Sequence, residues 1–337
     1  MDALAHSLAR SPDLFPVALD GRSGAVAFLP LSEAAYAGAS FLDSRILTPH
    51  TAIRTWPWAE IASAVTASGL TERVDFIFHI GHVGSTLLSR LLGRHPAIFA
   101  IREPEILRML ALTPPGVERD QYLGVFLKLW SRTFNQDSRS VIKATSFVSE
   151  IAPDLLARPS GPRALMMGVR PESYLATILG APHSPSEARM LAPQRMARLN
   201  QRLGTAWRTE TLGVGEIVAL GWACEASALV GAIARARDRV HVLDFDRFLH
   251  DPPGQLASAF AHFQVAVTEP DIRAVLTGPD MTSYSKAPEH AYDAALRNAV
   301  LDDGRREFAT EIRRGLDWIA RAAGEHKSIA EAVALFG

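Results

Sequence analysis

A glycine-bearing turn at residues 81–86 is the part of the sequence best suited to chemistry. Its backbone N–H groups and the hydroxyls of Ser85 and Thr86 are donors of the kind that a phosphate group needs. A β-branched and aromatic run precedes the turn, and leucines at helical spacing follow it. A strand, a tight turn and a helix in this order aim the positive end of the helix dipole at one point. The sequence therefore predicts a phosphate-binding loop lined by Gly81, His82, Val83, Gly84, Ser85 and Thr86.

The loop lacks the lysine of the nucleoside-triphosphatase pattern. In that pattern a lysine follows the second glycine and reaches the outer phosphates, and the next hydroxyl holds magnesium. Here Gly84 is followed directly by Ser85 and Thr86. The loop can still cradle a phosphate, but it is poorly equipped to move a γ-phosphoryl group. A simple strand-to-helix turn with incidental glycines is the structural alternative.

The loop resembles that of the sulfotransferases that use 3′-phosphoadenosine-5′-phosphosulfate (PAPS). Their pattern, roughly [KR]-S-G-T-[TS]-[LW]-[LM], is matched in spacing by residues 82–88, and His95-Pro96 and the acidic residue Glu103 follow. His82 stands where the family usually has lysine or arginine. A histidine carries a charge only part of the time near neutral pH.

Later segments extend the resemblance in the family's order, to about residue 290. A strand at 140–142 ends in Lys143, as in tyrosylprotein-sulfotransferase-like members, and a strand at 164–169 ends in Arg170. With one residue deleted, Thr177 matches the serine of the family's 3′-phosphate motif. Residues 240–252 resemble its late strand, and Lys286 its late basic loop.

The resemblance implies roles for these residues. Glu103 would be the general base, Lys143 would stabilise the transferring group, and His82 would assist in the loop. Arg170 and Thr177 would bind the 3′-phosphate, and Lys286 would close over the nucleotide. PAPS would be the co-substrate, without a metal. From the residues alone, Glu103 is also suited to stabilise a helix start by its charge, and Glu105, His79 or His82 could serve as the base instead.

Composition fits an α/β enzyme. The chain has 337 residues, is 48% hydrophobic and has a formal charge of −1, so no general nucleic-acid role is indicated. Cys224 is the only cysteine, which excludes an internal disulfide and is typical of a packed core thiol. The first residues lack a secretory pattern. The apolar stretch 216–236 contains Glu216, Glu225 and Arg235, and we expect it to be too polar to span a bilayer. We therefore expect a cytoplasmic protein without a membrane partner, and the alanine and arginine content is typical of bacterial enzymes.

The alternation of strand and helix patterns over 74–180 predicts a central parallel sheet flanked by helices, an α/β P-loop fold. Residues 1–70 are expected to form an N-terminal extension or cap of unclear structure, and 71–337 the main domain. Residues 181–215 favour surface helices whose arginines either meet an anionic acceptor or are solvated. Residues 279–292 are expected to be a loop, and about 303–323 a terminal helix.

The leading hypothesis is sulfuryl transfer from PAPS to a hydroxyl or amine of a small-molecule or peptide acceptor. A P-loop kinase or phosphotransferase using ATP and magnesium is one alternative. A non-catalytic nucleotide-binding protein that keeps the fold is the other, and His82 favours it. The sequence identifies neither the acceptor nor the oligomeric state.

Overall fold

An antiparallel layer formed by the first 70 residues precedes the main sheet. In the computed structural model, which describes residues 2–48, 50–284, 287–291 and 293–337, this layer has three strands in the order β1-β2-β3. Its elements are α1 (Asp2–Arg10), β1 (Leu14–Asp20), β2 (Ala25–Pro30), α2 (Glu33–Gly38), β3 (Arg54–Pro57) and α3 (Trp58–Ala67). A 3-10 turn, Ser44–Ile46, lies between α2 and β3.

Two buried arginines tie this layer to the main sheet. Arg132 donates to main-chain carbonyls of the N-terminal layer, those of Leu8, Ser11 and Leu14, at 2.7–3.2 Å. Arg102 in the same way caps the carbonyl end of α2, through Tyr36, Ala37 and Ala39. Burial lowers the pKa of both guanidinium groups to about 10. The boundary expected near residue 70 stays a prediction.

The main sheet has five parallel strands in the order β5-β6-β4-β7-β8. Helices separate consecutive strands, as a parallel sheet requires. Burial of β4, β5 and β7 is complete along their length, which agrees with their nearly continuous apolar sequence. The strands are β4 (Val74–His79), β5 (Ile98–Arg102), β6 (Arg139–Lys143), β7 (Ala164–Gly168) and β8 (Val240–Asp244). The α/β fold with a central parallel sheet is therefore confirmed.

Thirteen further helices are described outside the N-terminal layer, and those nearest the sheet connect its strands. They are α4 (Ser85–Gly93), α5 (Glu105–Leu112), α6 (Val117–Trp130), α7 (Ala152–Leu156), α8 (Pro171–Gly180), α9 (Ser184–Leu203), α10 (Val214–Ala236), α11 (Phe245–His250), α12 (Pro252–His262), α13 (Glu269–Leu276), α14 (Ala294–Glu307), α15 (Ala309–Glu325) and α16 (Lys327–Phe336). 3-10 turns cover Ser146–Ile151, Arg237–Arg239 and Pro279–Met281.

The helix α10 is the central helix of the core. It contacts α9, α15 and α16. Cys224, on this helix, is a fully buried free thiol, and its burial raises its pKa to about 11. By length and composition, the segment Val214–Arg239 is apolar enough to cross a membrane, so the expectation that it is too polar is wrong. Its most apolar window is nevertheless 78% buried inside the protein, as in a core helix.

The C-terminal region differs from the expected single helix over 303–323. Helix α14 begins at residue 294, because the Asp293 side chain accepts a hydrogen bond from the Leu296 N–H. Phe308 leaves helical geometry at φ −108° and ψ 23° and separates α14 from α15, and α16 closes the chain. The expected loop 279–292 contains a short antiparallel pair, β9 (Ser283–Tyr284) and β10 (Ala287–Ala291).

Candidate functional site

The loop between β4 and α4 has the backbone of an anion-binding turn. Gly81, His82 and Gly84 adopt left-handed φ angles of 87°, 55° and 66°. Gly84 is the N-cap residue of α4, so the free N–H groups of the first helical turn, beginning at Ser85, face the loop. Left-handed residues next to a helix N-terminus form a concave set of N–H donors. The strand, turn and helix expected from the sequence are present.

Gly84 is required by a close contact as well as by its φ. A Cβ atom built at this position would lie 2.0 Å from the ring of Phe245, which follows β8. Only a glycine lets that aromatic ring close against the loop. The loop is therefore bounded on one side by the end of β8, a neighbour that its own sequence does not reveal.

Thr86 carries a buried hydroxyl for which no hydrogen-bond partner is found among the described residues. A buried polar atom without a partner costs free energy, and a bound ligand is one way to supply the missing contact. Ser85 is also buried, at the same end of α4. These two hydroxyls and the adjoining N–H groups fit a phosphate or phosphosulfate group.

His79 is committed to holding the loop. Its Nδ1 accepts from the Gly81 N–H at 2.9 Å, and its Nε2 lies 2.8 Å from the Ala144 carbonyl oxygen. These contacts require a neutral ring with the proton on Nε2. The ring links the end of β4 to the end of β6, and both of its nitrogen atoms are engaged in hydrogen bonds. Of the two histidines weighed as alternative bases, His79 is thus a structural residue, whereas His82 is exposed on the loop.

Glu103 and Lys143 form a buried ion pair beside the loop. The Lys143 ammonium contacts Glu103 Oε1, and Thr145 Oγ1 lies 3.2 Å from Oε2. Lys143 is 1% exposed and Glu103 7%. The two residues are 40 positions apart and come together because β5 and β6 are paired, with Arg102 opposite Lys143. The sequence hypothesis named both residues, but it did not predict their contact or the role of Thr145.

The backbone at Glu103 is in an unusual conformation. Its φ is 51°, in the left-handed region that a non-glycine residue seldom occupies, and Pro104 follows it. The Glu103 N–H donates to the Lys143 carbonyl at 2.7 Å, which fixes the residue in this geometry. Such conformations cost about 1–3 kcal/mol each and occur preferentially at functional sites. Because Glu103 precedes α5, the interpretation as a helix-start acid is compatible with the position, but it explains neither the pair nor the strain.

A segment of the N-terminal layer covers this pair. The Leu42 N–H donates to the Arg102 carbonyl at 2.7 Å, and the Glu105 N–H donates to the Leu42 carbonyl at 3.3 Å. Phe41 lies with its ring centre 5.9 Å from the Lys143 ammonium. The first 70 residues, for which the sequence contained no named motif, therefore form one wall of the candidate site.

The residues expected to bind the 3′-phosphate lie along α8. Arg170 is the N-cap residue of this helix and is exposed, and no side-chain partner is found for it among the described residues. The Thr177 hydroxyl donates to the Ser173 carbonyl at 2.8 Å. Because β7 is paired with β4, Arg170 is at the same edge of the sheet as the loop. Lys286 lies outside the described residues, and the roles of all three residues stay predictions.

Arg297 is a cation near the loop that sequence reasoning missed. Its guanidinium donates to Asp246 at 2.6 Å and lies 5.2 Å from the ring centre of Phe245, the residue that covers Gly84. The Ser173 hydroxyl lies 3.3 Å from the other Asp246 oxygen. Helix α14 thereby brings a buried arginine between the loop and α8. No motif marked it, because its neighbours in sequence are those of an ordinary charged helix.

Three arginines of α9 are paired inside the protein. Arg198 contacts Glu225 at 2.8 Å, Arg195 contacts it at 3.6 Å, and Arg202 contacts Glu150. Glu225 is 1% exposed and lies on α10. The expectation of a solvated face is wrong for these arginines, because a buried carboxylate needs cationic partners.

His241 and His262 lie against each other with ring centres 5.6 Å apart. Both Nε2 atoms are buried, and neither has a partner among the described residues. Burial, followed by the charge of His241, lowers the pKa of His262 to about 4. In the described part of the chain, no three His, Cys, Asp or Glu side chains are grouped as metal ligands.

Comparison with solved structures finds sulfotransferases. The sulfotransferase domain from the curacin biosynthetic pathway is 13% identical, with a TM-score of 0.41 over 74% of this chain and 98% of that one. Sulfotransferase STF9 from Mycobacterium avium is 14% identical, with a TM-score of 0.41 over 74% and 80%. Retinol dehydratase in complex with androsterone and inactive cofactor PAP is 11% identical, with a TM-score of 0.32 over 80% and 88%.

No protein-family model matches the sequence, and no curated protein is found as a relative. The chain is thus similar to sulfotransferases of solved structure, at identities and TM-scores that identify neither its substrate nor its catalytic residues.

Proposed function

We propose that the protein is a sulfotransferase that moves a sulfuryl group from PAPS to a hydroxyl or amine acceptor. The buried ion pair of Glu103 and Lys143, next to the glycine loop, is the observation that carries the proposal. The reaction needs a base for the acceptor proton and a cation for the departing oxygen. A carboxylate and an ammonium at the edge of a phosphate-binding loop supply both.

The donor would be held by the loop and by α8. Ser85, Thr86 and the N–H groups at the start of α4 would bind the 5′-phosphosulfate, and the partnerless hydroxyl of Thr86 supports this. Arg170 and Thr177 would bind the 3′-phosphate, since an arginine fork suits phosphate oxygens. The donor would supply a sulfuryl group already bonded to a good leaving group.

In the proposed step Glu103 takes the proton of the acceptor O–H or N–H group. The acceptor atom forms its bond to sulfur while the bond from sulfur to the bridging phosphate oxygen breaks. Lys143 donates a hydrogen bond to that departing oxygen and stabilises its charge. The products are the sulfated acceptor, adenosine 3′,5′-bisphosphate and one proton. Because the two side chains contact each other in the structure, binding must exchange this contact for contacts to the substrates.

Two other functions remain as outcomes of the test. A kinase would prefer ATP with magnesium, although the loop has no lysine after Gly84. A non-catalytic nucleotide-binding protein would keep the ion pair for stability alone. This second possibility is favoured by His82, because a histidine stands where the resembled family usually has a lysine or arginine.

The decisive assay follows transfer of ³⁵S from labelled PAPS to a panel of phenols, alcohols and amines. Glu103→Gln should lower turnover by about 10²–10⁴-fold, the usual contribution of a positioned base. Lys143→Met should lower it by about 10²–10³-fold, as for the loss of one donor to a developing negative charge. Glu72→Gln is the matched control, because Glu72 forms a partly buried ion pair with Arg158 away from the loop. Transfer that is unaffected by the Glu103 and Lys143 variants would contradict the mechanism. Transfer from ATP instead of PAPS would contradict the function.

A further inference from the structure

The segment after α2 carries a positively charged residue close to the Glu103–Lys143 pair. Leu42 is hydrogen-bonded to main-chain groups on both sides of Glu103, so the residues next to it are held close to that carboxylate. Phe41 faces Lys143, and the Arg45 guanidinium carbon lies 3.5 Å from the centre of the same ring. Because both cations lie close to the same ring, the Arg45 guanidinium and the Lys143 ammonium are near each other.

Arg45 is held in one orientation by a buried carboxylate. Asp43, which is 1% exposed, accepts from Arg45 Nε at 2.8 and 3.0 Å, and it also accepts from Nη2. The face of the guanidinium rests on Phe41. The side chain is nevertheless 53% exposed. An arginine that is fixed before binding loses less conformational entropy when a ligand arrives.

One edge of this guanidinium is available. Asp43 uses the edge formed by Nε and Nη2, and no partner for Nη1 is found among the described residues. The Asp43 carboxylate also lies 3.5 Å from the Arg108 guanidinium, so two positive groups share its single negative charge. The partly exposed Glu105 carboxylate, 3.8 Å from Arg108, offsets part of the excess positive charge. The hydrogen bond to Asp43, together with the charges of Glu103 and Glu105, raises the pKa of Arg45.

We propose that Arg45 binds an oxyanion of the acceptor while the accepting hydroxyl lies at Glu103. The inference rests on the proposed sulfuryl transfer and adds a substrate class, hydroxyl compounds that carry a carboxylate or a phosphate. The end of an arginine fork offers two parallel N–H donors that match these groups. Phe41, which contacts Arg45 and is close to Lys143, would provide an apolar surface for the body of a small acceptor.

The test compares carboxylic acids with their neutral amides and adds one phosphate ester. 4-Hydroxyphenylacetate, 4-hydroxyphenylacetamide and 4-hydroxyphenyl phosphate are titrated calorimetrically, as are 3-hydroxybutyrate and its amide. We expect each acid to bind at least about tenfold more tightly than its amide. Arg45→Met should remove this preference, and Arg45→Lys should keep part of it because the charge remains without the fork. Arg22→Met, in the exposed turn between β1 and β2, should leave it unchanged.

Equal affinity for acid and amide in the parent protein would overturn the proposal, as would an acid preference that survives in Arg45→Met. Failure to bind any acid at millimolar concentration would also overturn it. The affinities of 4-hydroxyphenyl phosphate and 4-hydroxyphenylacetate show whether Arg45 prefers a phosphate or a carboxylate. Titration with adenosine 3′,5′-bisphosphate separates this result from the proposed function, because bisphosphate binding without acid preference rejects only the role of Arg45. Acid preference without bisphosphate binding rejects only the sulfotransferase.

Discussion

Replacing Lys143 with methionine should destabilise the protein in a way that depends on pH. The substitution keeps the length of the side chain but removes the ammonium, and it leaves the Glu103 carboxylate buried without its cation. Removal of one partner of a buried ion pair typically costs about 3–5 kcal/mol. A carboxylate can avoid this cost by taking up a proton, so the loss is limited by the free energy of protonation.

That limit follows from the pKa of a glutamate in the unfolded chain. With an ordinary value of about 4.3, protonation costs about 1.4 kcal/mol for each pH unit above it, which is about 1 kcal/mol at pH 5 and about 3.7 kcal/mol at pH 7. Since the unfolded chain ionises this carboxylate as pH rises, a variant that must bury it in protonated form loses stability relative to the parent as pH rises. The difference between the two proteins should therefore grow by about 2–3 kcal/mol from pH 5 to pH 7.

Urea unfolding at pH 5, 6 and 7 measures this difference. Lys327→Met is the matched control, because Lys327 forms an exposed pair with Glu331 at 3.6 Å and its loss should not be measurable. Adding Glu103→Gln to Lys143→Met should abolish the pH dependence. A destabilisation of equal size at all three pH values would refute the reasoning, since Glu103 would then take up no proton when the variant folds.

Three further results are expected. Thr86→Val should weaken phosphate and bisphosphate binding about tenfold in calorimetry without loss of unfolding free energy, because the hydroxyl that it removes has no partner; equal affinity would show that Thr86 faces no ligand. Gly84→Ala should lower the melting temperature, because its Cβ would overlap the Phe245 ring; Phe245→Ala in the same chain should restore part of the loss. His262→Phe should flatten the pH dependence of stability: a folded-state pKa of about 4 means that the stability from His262 is present above pH 6.5 and is lost as pH falls from 6.5 to 4.

The central sheet was predictable because its signals are local. Apolar strands, the glycine turn and the start of α4 follow one another over residues 74–93, and short-range periodicity is what a sequence displays directly. The ends of parallel strands meet at one edge, so motifs that follow β4, β5 and β6 were bound to approach each other. The contact between Glu103 and Lys143 depends in addition on which strands are neighbours in the sheet. The sequence of a single segment does not reveal strand order, so this contact could not be predicted.

The N-terminal layer could not be predicted because long-range contacts stabilise it. Its strands are short and contain prolines, and buried arginines from β5 and the end of α6 hold its main-chain carbonyls. Sequence patterns treat arginines such as Arg102 and Arg132 as surface residues, since they are seldom buried unless paired. The wall formed by Phe41 and Arg45 was therefore missed together with the layer that carries it.

We propose that the loop and the Glu103–Lys143 pair serve a PAPS-type nucleotide. Calorimetric titration with adenosine 3′,5′-bisphosphate, beside ATP with magnesium, is the first test of this role. We expect metal-independent binding of the bisphosphate that falls at least about tenfold in Arg170→Ala, because a charge-assisted phosphate contact is lost. Preference for ATP with magnesium, or binding of neither nucleotide, would contradict it.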